Sequence, residues 1–249
     1  MKLDDVKKLH QKKYRNELGH YLVEGEHLIL ELQKASDSST DNSHITLYVT
    51  DDHKQWAHNL NAGFNIVPVS SKKMAQISDT RSPQGLIACV PLPDPSPSVS
   101  SSCEPERCIY LHEIQDPGNL GTILRSLAWF GHFRLLLSPN SVDPFNPKVV
   151  RASMGAIFHV PMEQNVTMTD LAERFSKFAY LDMQGESVHS THFSDFDCYL
   201  FGNEARGVPH DALNTFAASA FTIAGKGTID SLNVASALTI CAYQLSLNA

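Results

Sequence analysis

Between residues 91 and 106 the chain sets Pro91, Pro93, Pro95, Pro97 and Pro105 among serines, with Ser100, Ser101 and Ser102 in a row. Proline fixes φ and has no N–H, so such a stretch makes neither a helix nor a central strand. It reads as a linker, and the sequence on either side of it must bury its own core. The expected organisation is a domain over 1–90, a linker over 91–106 and a larger domain over 107–249. The 42% apolar content is ample for two packed cores and too high for a disordered chain.

Each side carries its own pattern. The first suggests helices over 3–16 and 24–34, with strands at Thr46–Thr50, Phe64–Val69 and Gly85–Val90, a mixed α/β domain. Ser36 to Ser43 is polar and reads as a loop. The second side alternates strand and helix. Its strands are expected at Cys108–Glu113, Phe133–Ser138, Phe178–Asp182, Cys198–Phe201 and Ala220–Ile223. Leu120, Ile123, Leu124, Leu127 and Ala128 recur at helical spacing, and Arg125 falls off that stripe. Alternating elements imply an α/β fold, a mostly parallel sheet with helices on both faces.

Several classes are excluded or weakened. No apolar run approaches the roughly 18 residues that span a bilayer, and the N-terminus lacks the apolar segment of a secretory signal. Five cysteines at irregular spacing, with no CxxC pair, suggest reduced thiols in a cytoplasmic protein, not disulfides or zinc. The net charge of −7 argues against a general polyanion binder. The first fifteen residues nevertheless hold Lys2, Lys7, Lys8, Lys12, Lys13 and Arg15 against Asp4 and Asp5. Such a patch can contact phosphates or can be a solvated helix face.

Three strand-to-helix junctions hold the remaining signal. In Asp116 to Arg125, Pro117-Gly118 makes a turn and Asn119 is a good helix N-cap. Arg125 lies one and a half turns in, within reach of a phosphate; the alternative is a capped helix with a surface arginine. In Gly202-Asn203-Glu204-Ala205-Arg206-Gly207, two glycines permit close backbone approach and Glu204 falls at a strand's carboxyl end, although an ordinary loop would look alike. Ser231 or Asn233 could simply cap the apolar helix that begins at Val234. No GxGxxG is present, and Gly225-Lys226-Gly227-Thr228 lacks the parts of a triphosphate loop. His189, His192, Asp195 and Cys198 have no common metal spacing, and no GxSxG elbow supports Ser153 and His159 as nucleophile and base.

In their order, these junctions resemble the three motifs of the SpoU (TrmH-like) RNA ribose methyltransferases. Gln115 to Gly131 is similar to the first motif, Phe145 to Ala156 to the signature between first and second, and the second and third follow. Lys13-Tyr14-Arg15-Asn16-Glu17, Leu22-Val23-Glu24-Gly25 and Ser82-Pro83-Gln84-Gly85 resemble the family's N-terminal substrate-binding domain. The family commonly has Ile-Pro-Met-x-Gly where this chain has Ile223-Ala224-Gly225-Lys226-Gly227, a loss of proline that could loosen the loop.

The resemblance implies a catalytic domain with a deep trefoil knot, which no periodicity could reveal. It implies S-adenosylmethionine as cofactor, with contacts near Leu181, Gly202, Ile223, Ser231 and Leu232. It implies 2′-O-methylation of structured RNA by Asn119, Arg125, Glu204 and Asn233, in a homodimer formed through the C-terminal domain, with no metal. Arg125 is the family's proposed proton acceptor, yet a guanidinium is effectively always protonated. Binding the neighbouring phosphate and stabilising alkoxide charge suits it better. Lys12, Lys13, Arg15 and Arg81 are the expected RNA contacts, as phosphate ligands. Ribosomal RNA is favoured over transfer RNA, because a separate N-terminal domain is frequent among the ribosomal-RNA enzymes. The competing readings are a non-catalytic RNA-binding or assembly factor on the same fold and a base methyltransferase with a related knot.

Overall fold

The structure is a computed structural model that describes residues 1–36, 41–94, 106–214, 216–228 and 231–247. Most of the Pro/Ser linker, part of the Ser36–Ser43 loop, Cys103 and Asp230 lie outside the described residues. Two compact units form, Met1–Asp94 together with Asp143–His159, and Pro95–Val142 together with Val160–Ala249. The stretch 143–159, expected with the C-terminal domain, therefore packs within the first unit.

The first unit begins with two helices, α1 (Leu3–Lys8) and α2 (Lys12–Leu18), where one was expected. Its remaining elements are β1 (His20–Glu24), α3 (Glu26–Ala35), β2 (Thr46–Val49), α4 (Lys54–Asn59), β3 (Asn65–Pro68), α5 (Ser71–Ile77) and β4 (Leu86–Pro91). The strand order is β1-β4-β2-β3. β4 runs antiparallel to both β1 and β2, while β2 and β3 are parallel, so the sheet is mixed. Pro91, assigned to the linker from sequence, is the last residue of β4 and pairs with His20 at the start of β1.

The helix break has a physical reason. Arg15 is only 2% exposed. Its Nη1 donates to the Leu9 carbonyl at 2.7 Å, a group left free where α1 ends. Its Nε donates to Asp143 Oδ2 at 2.9 Å, and Nη2 contacts the same oxygen. A continuous helix would have used the Leu9 carbonyl internally. The Arg15–Asp143 pair also fastens the 143–159 stretch, together with Tyr21 against Phe145 at 4.8 Å between ring centroids and α7 (Pro147–Ala152) lying against β1.

The second unit contains β5 (Arg107–Leu111), α6 (Pro117–Phe130), β6 (Phe133–Leu137), β7 (Met162–Gln164), α8 (Met168–Arg174), β8 (Phe178–Ser187), β9 (Cys198–Phe201), α9 (His210–Leu213), β10 (Ala218–Thr222) and α10 (Val234–Ser246). Strand order is β10-β8-β9-β5-β6-β7, and every pair is parallel. The central strand β9, Cys-Tyr-Leu-Phe, is buried throughout, as expected of a strand covered on both faces. On α6 the expected stripe is buried at Leu120, Ile123, Leu124 and Leu127, while Ala128 is half-buried.

α10 lies beside α6 and runs parallel to it. Asn119 meets Asn233 at one end, Ser126 meets Thr239 in the middle at 2.6 Å, and Phe130 meets Tyr243 at the other. Both helices therefore begin at the carboxyl edge of the sheet. Among the described residues no helix is long and apolar enough to cross a membrane.

Candidate active site

The loops that follow β5, β6 and β9 meet at the carboxyl edge of the second sheet. β5 ends at Leu111, and Glu113 turns the chain with φ of 50°. Left-handed backbone at a residue with a Cβ is uncommon, and here its polar groups are held from two other loops. Ser138 Oγ accepts the Glu113 N–H at 2.7 Å, Asn203 Nδ2 donates to the Glu113 carbonyl at 2.7 Å, and Arg206 pairs with its carboxylate.

α6 then starts one turn earlier than sequence suggested. Asp116, not Asn119, is its N-cap: Asp116 Oδ1 accepts the Asn119 N–H at 2.7 Å, and Pro117 occupies the first turn. Proline suits that position because its missing N–H would be unsatisfied anyway. The consequence is that the Asn119 side chain is free for other partners.

Those partners are the other expected site residues. Asn119 Oδ1 accepts from Asn233 Nδ2 at 2.9 Å, and Asn119 Nδ2 donates to Glu204 Oε1 at 3.3 Å. Glu204 also accepts the backbone N–H of Gln115 and of Asp116, the latter at 3.0 Å. Asn233 is the N-cap of α10, its Oδ1 accepting from Ala235 and Ser236. Three residues separated by up to 114 positions thus form one chain of polar contacts on the solvent side of the sheet.

Arg125 is not part of it. It lies on the exposed face of α6, with no hydrogen bond or ion pair to a described residue, on the same stripe as Trp129, which is 85% exposed. Beside it, Tyr243 on α10 is 53% exposed and Leu247, just past the end of that helix, 58% exposed. Large apolar groups are thus left exposed on two adjacent elements.

Beside the polar cluster the backbone is open. Gly202 leaves β9 so close to the returning chain that a Cβ would lie 2.2 Å from the Gly207 carbonyl carbon. No larger residue fits, which explains the first glycine of that segment. After β10, Ile223 is half-buried, and Ala224 to Thr228 are exposed with their backbone groups unpaired to other described residues. Ser231 is exposed, and Leu232 presents its side chain at 46% exposure. Leu181 is half-buried on β8, the strand between β9 and β10. Free amides and carbonyls beside an exposed leucine suit a ligand that is polar at its edges and flat and apolar on its faces.

Sequence reasoning missed Asn203 and Glu113. Asn203 is 7% exposed; its Oδ1 accepts the N–H groups of Ala205 and Arg206, so it builds the loop that presents Glu204. An asparagine between two glycine-bounded turns was the available signal. His112, just past the end of β5, has its pKa pushed down by burial, and its buried Nδ1 has no hydrogen-bond partner among the described residues. Among the described residues no group of His, Cys, Asp and Glu is arranged to hold a metal. His192 instead pairs with Glu186 at 3.1 Å, and Cys198 is sealed in the sheet.

In the first unit Lys12, Lys13 and Arg81 are exposed, and the Lys13 ammonium stands 5.5 Å from the Tyr14 ring centroid. Arg15 is a correction. Its guanidinium is buried and spent on Asp143 and the Leu9 carbonyl, so it is closed to a phosphate.

Residues 106–243 match the family described as the SpoU rRNA Methylase family, and residues 2–88 match the MRM3-like substrate binding domain. A 23S rRNA (guanosine(2553)-2′-O)-methyltransferase of Bacillus subtilis is 27% identical over 98% of this chain and 95% of its own length. The mitochondrial rRNA methyltransferase 3 of Mus musculus is 34% identical over 61% of this chain and 37% of its own. The crystal structure of an AdoMet-bound rRNA methyltransferase from Sinorhizobium meliloti superposes with a TM-score of 0.81 at 26% identity, covering 99% of this chain and 94% of that one.

Proposed function

The chain belongs to the SpoU rRNA methylase family, and from that premise we propose that it methylates a ribose 2′-hydroxyl of ribosomal RNA, using S-adenosylmethionine. The observation that carries the reading is the Asn119–Glu204–Asn233 cluster, placed beside the open backbone of Gly202 and Ala224–Thr228. The cofactor, when bound, supplies a methyl group on a positively charged sulfur. Gly202, Ile223 and the segment up to Leu232 are the residues that would hold it, with Leu181 and Leu232 against its flat apolar part and Ser231 shaping the loop. The open backbone fits such a ligand, and the Ala224 departure removes no side chain on which the chemistry depends.

What remains for this chain is to place the ribose and manage one proton. Glu204 holds the first turn of α6, and Asn119 and Asn233 are fixed against each other, so their amides form a rigid polar edge for a sugar hydroxyl. Arg125 would bind the phosphate beside the target nucleotide and stabilise negative charge on the attacking oxygen, while phosphate or water removes the proton. Since Arg125 stands apart from the cluster on an apolar face with Trp129, Tyr243 and Leu247, the reading includes a homodimer through α6 and α10. There Arg125 would serve the partner's site. It also includes the family's trefoil knot, supported by the return of the chain from edge strand β10 to α10 beside α6.

Residues 1–90 would choose the RNA, through Lys12, Lys13 and Arg81 on its phosphates, and the cytoplasm would be the place of action. In this reading residues 1–90, together with the 143–159 stretch, form the substrate-binding unit and the rest of 107–249 the methyltransferase unit. Titration calorimetry with S-adenosylmethionine, paired with light scattering, tests this. Saturable binding at one site per chain in a dimer supports the reading; no binding at millimolar cofactor removes it and favours a non-catalytic RNA-binding protein.

A further inference from the structure

Two sequence segments to which the methyl-transfer site gives no role, Leu22–Gly25 and Ser82–Gly85, meet in the first unit. Because β1 and β2 each run antiparallel to β4, their carboxyl ends lie together at the edge where β4 begins. Gly25, Thr50 and Gly85 are the residues at that edge. A groove of about 560 Å³ opens beside them, lined by Glu26, His27, Leu30, His53 and Gln84.

Its walls are built, not incidental. Gln84 Oε1 accepts the Glu26 N–H at 3.1 Å, which fixes the amide with its NH2 group free to donate. His53 Nδ1 lies 3.1 Å from Thr50 Oγ1. The Thr50 N–H donates to the Gly85 carbonyl and the Gly25 N–H to the Leu86 carbonyl. At Gly85, with φ of 80°, a Cβ would stand 2.5 Å from Thr50 Oγ1; at Gly25, with φ of 105°, it would stand 2.9 Å from Gln84 Oε1. Both glycines are needed for these loops to close on each other.

The groove has the size of small-ligand sites, roughly 300–1,000 Å³. Its chemistry is narrower. His27 and His53 offer flat rings, Leu30 an apolar side, Gln84 a donor and Glu26 a carboxylate acceptor. Unpaired RNA bases are bound in this way, stacked on a ring and hydrogen-bonded along one edge. Guanine alone presents two adjacent donors, N1–H and N2–H2, beside an acceptor, O6. A carboxylate next to an amide NH2 complements that edge. The geometry points to a pocket in the first unit for one unstacked guanine of the substrate RNA, other than the nucleotide that is methylated. This rests on the reading of residues 1–90 as the RNA-selecting domain.

The test uses the full chain and four fluorescent RNA hairpins that differ only in one bulged base, with affinity read by anisotropy at fixed salt. The guanine hairpin should bind about tenfold tighter than the other three. His27→Ala and Gln84→Met should each erase that preference while changing affinity for the uracil hairpin less than about twofold and leaving cofactor binding unaltered. Glu26→Gln should weaken the guanine hairpin selectively. Lys13→Ala, by contrast, should weaken all four alike. Equal wild-type affinity for all four, binding of none, or variants that lose all four equally would overturn the pocket. Binding is read without methyl transfer, so a failure of the enzymatic reading would leave this result standing on its own.

Discussion

Asn233 does two jobs that can be separated. Its Oδ1 caps α10 through the N–H groups of Ala235 and Ser236, at 2.9 and 3.3 Å, and its Nδ2 donates to Asn119 at 2.9 Å. Asn233→Ala removes both. Loss of an N-cap costs about 1 kcal/mol, and an exposed amide–amide bond adds about 0.5–1 kcal/mol. The sum of about 1.5–2 kcal/mol lowers the melting temperature of a chain this size by about 3–8 °C. The Asn119 amide, held now only by Glu204, would then lose its fixed rotamer, and kcat should fall about 10–100-fold. Asn233→Ser separates the two roles. Serine caps about as well as asparagine but is too short to reach Asn119. Its melting temperature should fall by only about 1–4 °C, the share of the lost amide–amide bond, while kcat falls as far as in the alanine variant. The assays are calorimetric melting and methyl transfer under saturating cofactor. A serine variant with full activity would reduce Asn233 to a helix cap and refute the argument.

Arg125→Ala should abolish methyl transfer and leave cofactor affinity within about threefold, since the side chain touches no group of its own chain's site; calorimetry and the transfer assay read the two. Asp143→Ala strands the buried Arg15 guanidinium and should cost about 3–5 kcal/mol in chemical denaturation, whereas Lys13→Ala should cost less than about 0.5 kcal/mol. Burial pushes the thiols of Cys89 and Cys108 up to about 11 and that of Cys241 up to about 12. With almost no thiolate at pH 8, these three should resist iodoacetamide in the native protein for hours and react within minutes in denaturant, as followed by mass spectrometry. A fragment lacking residues 1–90 leaves Phe145, Val149 and Val150 without the β1 surface they pack on, and it should aggregate on gel filtration unless 143–159 is shortened too.

The legible parts of this fold were those written in local pattern. The α6 stripe was read correctly because four leucine or isoleucine side chains recur at helical spacing, and β9 because it is a short apolar run between turns. β7 went unseen because Met162–Gln164 is a three-residue edge strand with two polar side chains. β1 went unseen because its buried Tyr21, Leu22 and Val23 are too few to stand out from the flanking helical pattern. The break at Leu9 carries no glycine or proline; the Leu9 carbonyl is taken by the buried Arg15, which is itself held by Asp143, 128 residues further on. Arg15 was misjudged for the same reason, since a buried and an exposed arginine look alike in a basic run. The cap of α6 was a signal available and misapplied: Asp-Pro places the aspartate at the cap. Convergence of Asn119, Glu204 and Asn233 lies beyond local pattern altogether. It came from the order of three motifs resembling a known family, and the hydrogen bonds now give it a physical form.

The central claim is that this chain transfers a methyl group to a ribose oxygen of ribosomal RNA. The direct measurement is transfer from labelled S-adenosylmethionine into unmodified ribosomal RNA, followed by alkaline hydrolysis of the product. A 2′-O-methyl group blocks cleavage of its own phosphodiester, so the account predicts label in an alkali-resistant dinucleotide at one site. Label recovered in a mononucleotide with a methylated base would contradict it.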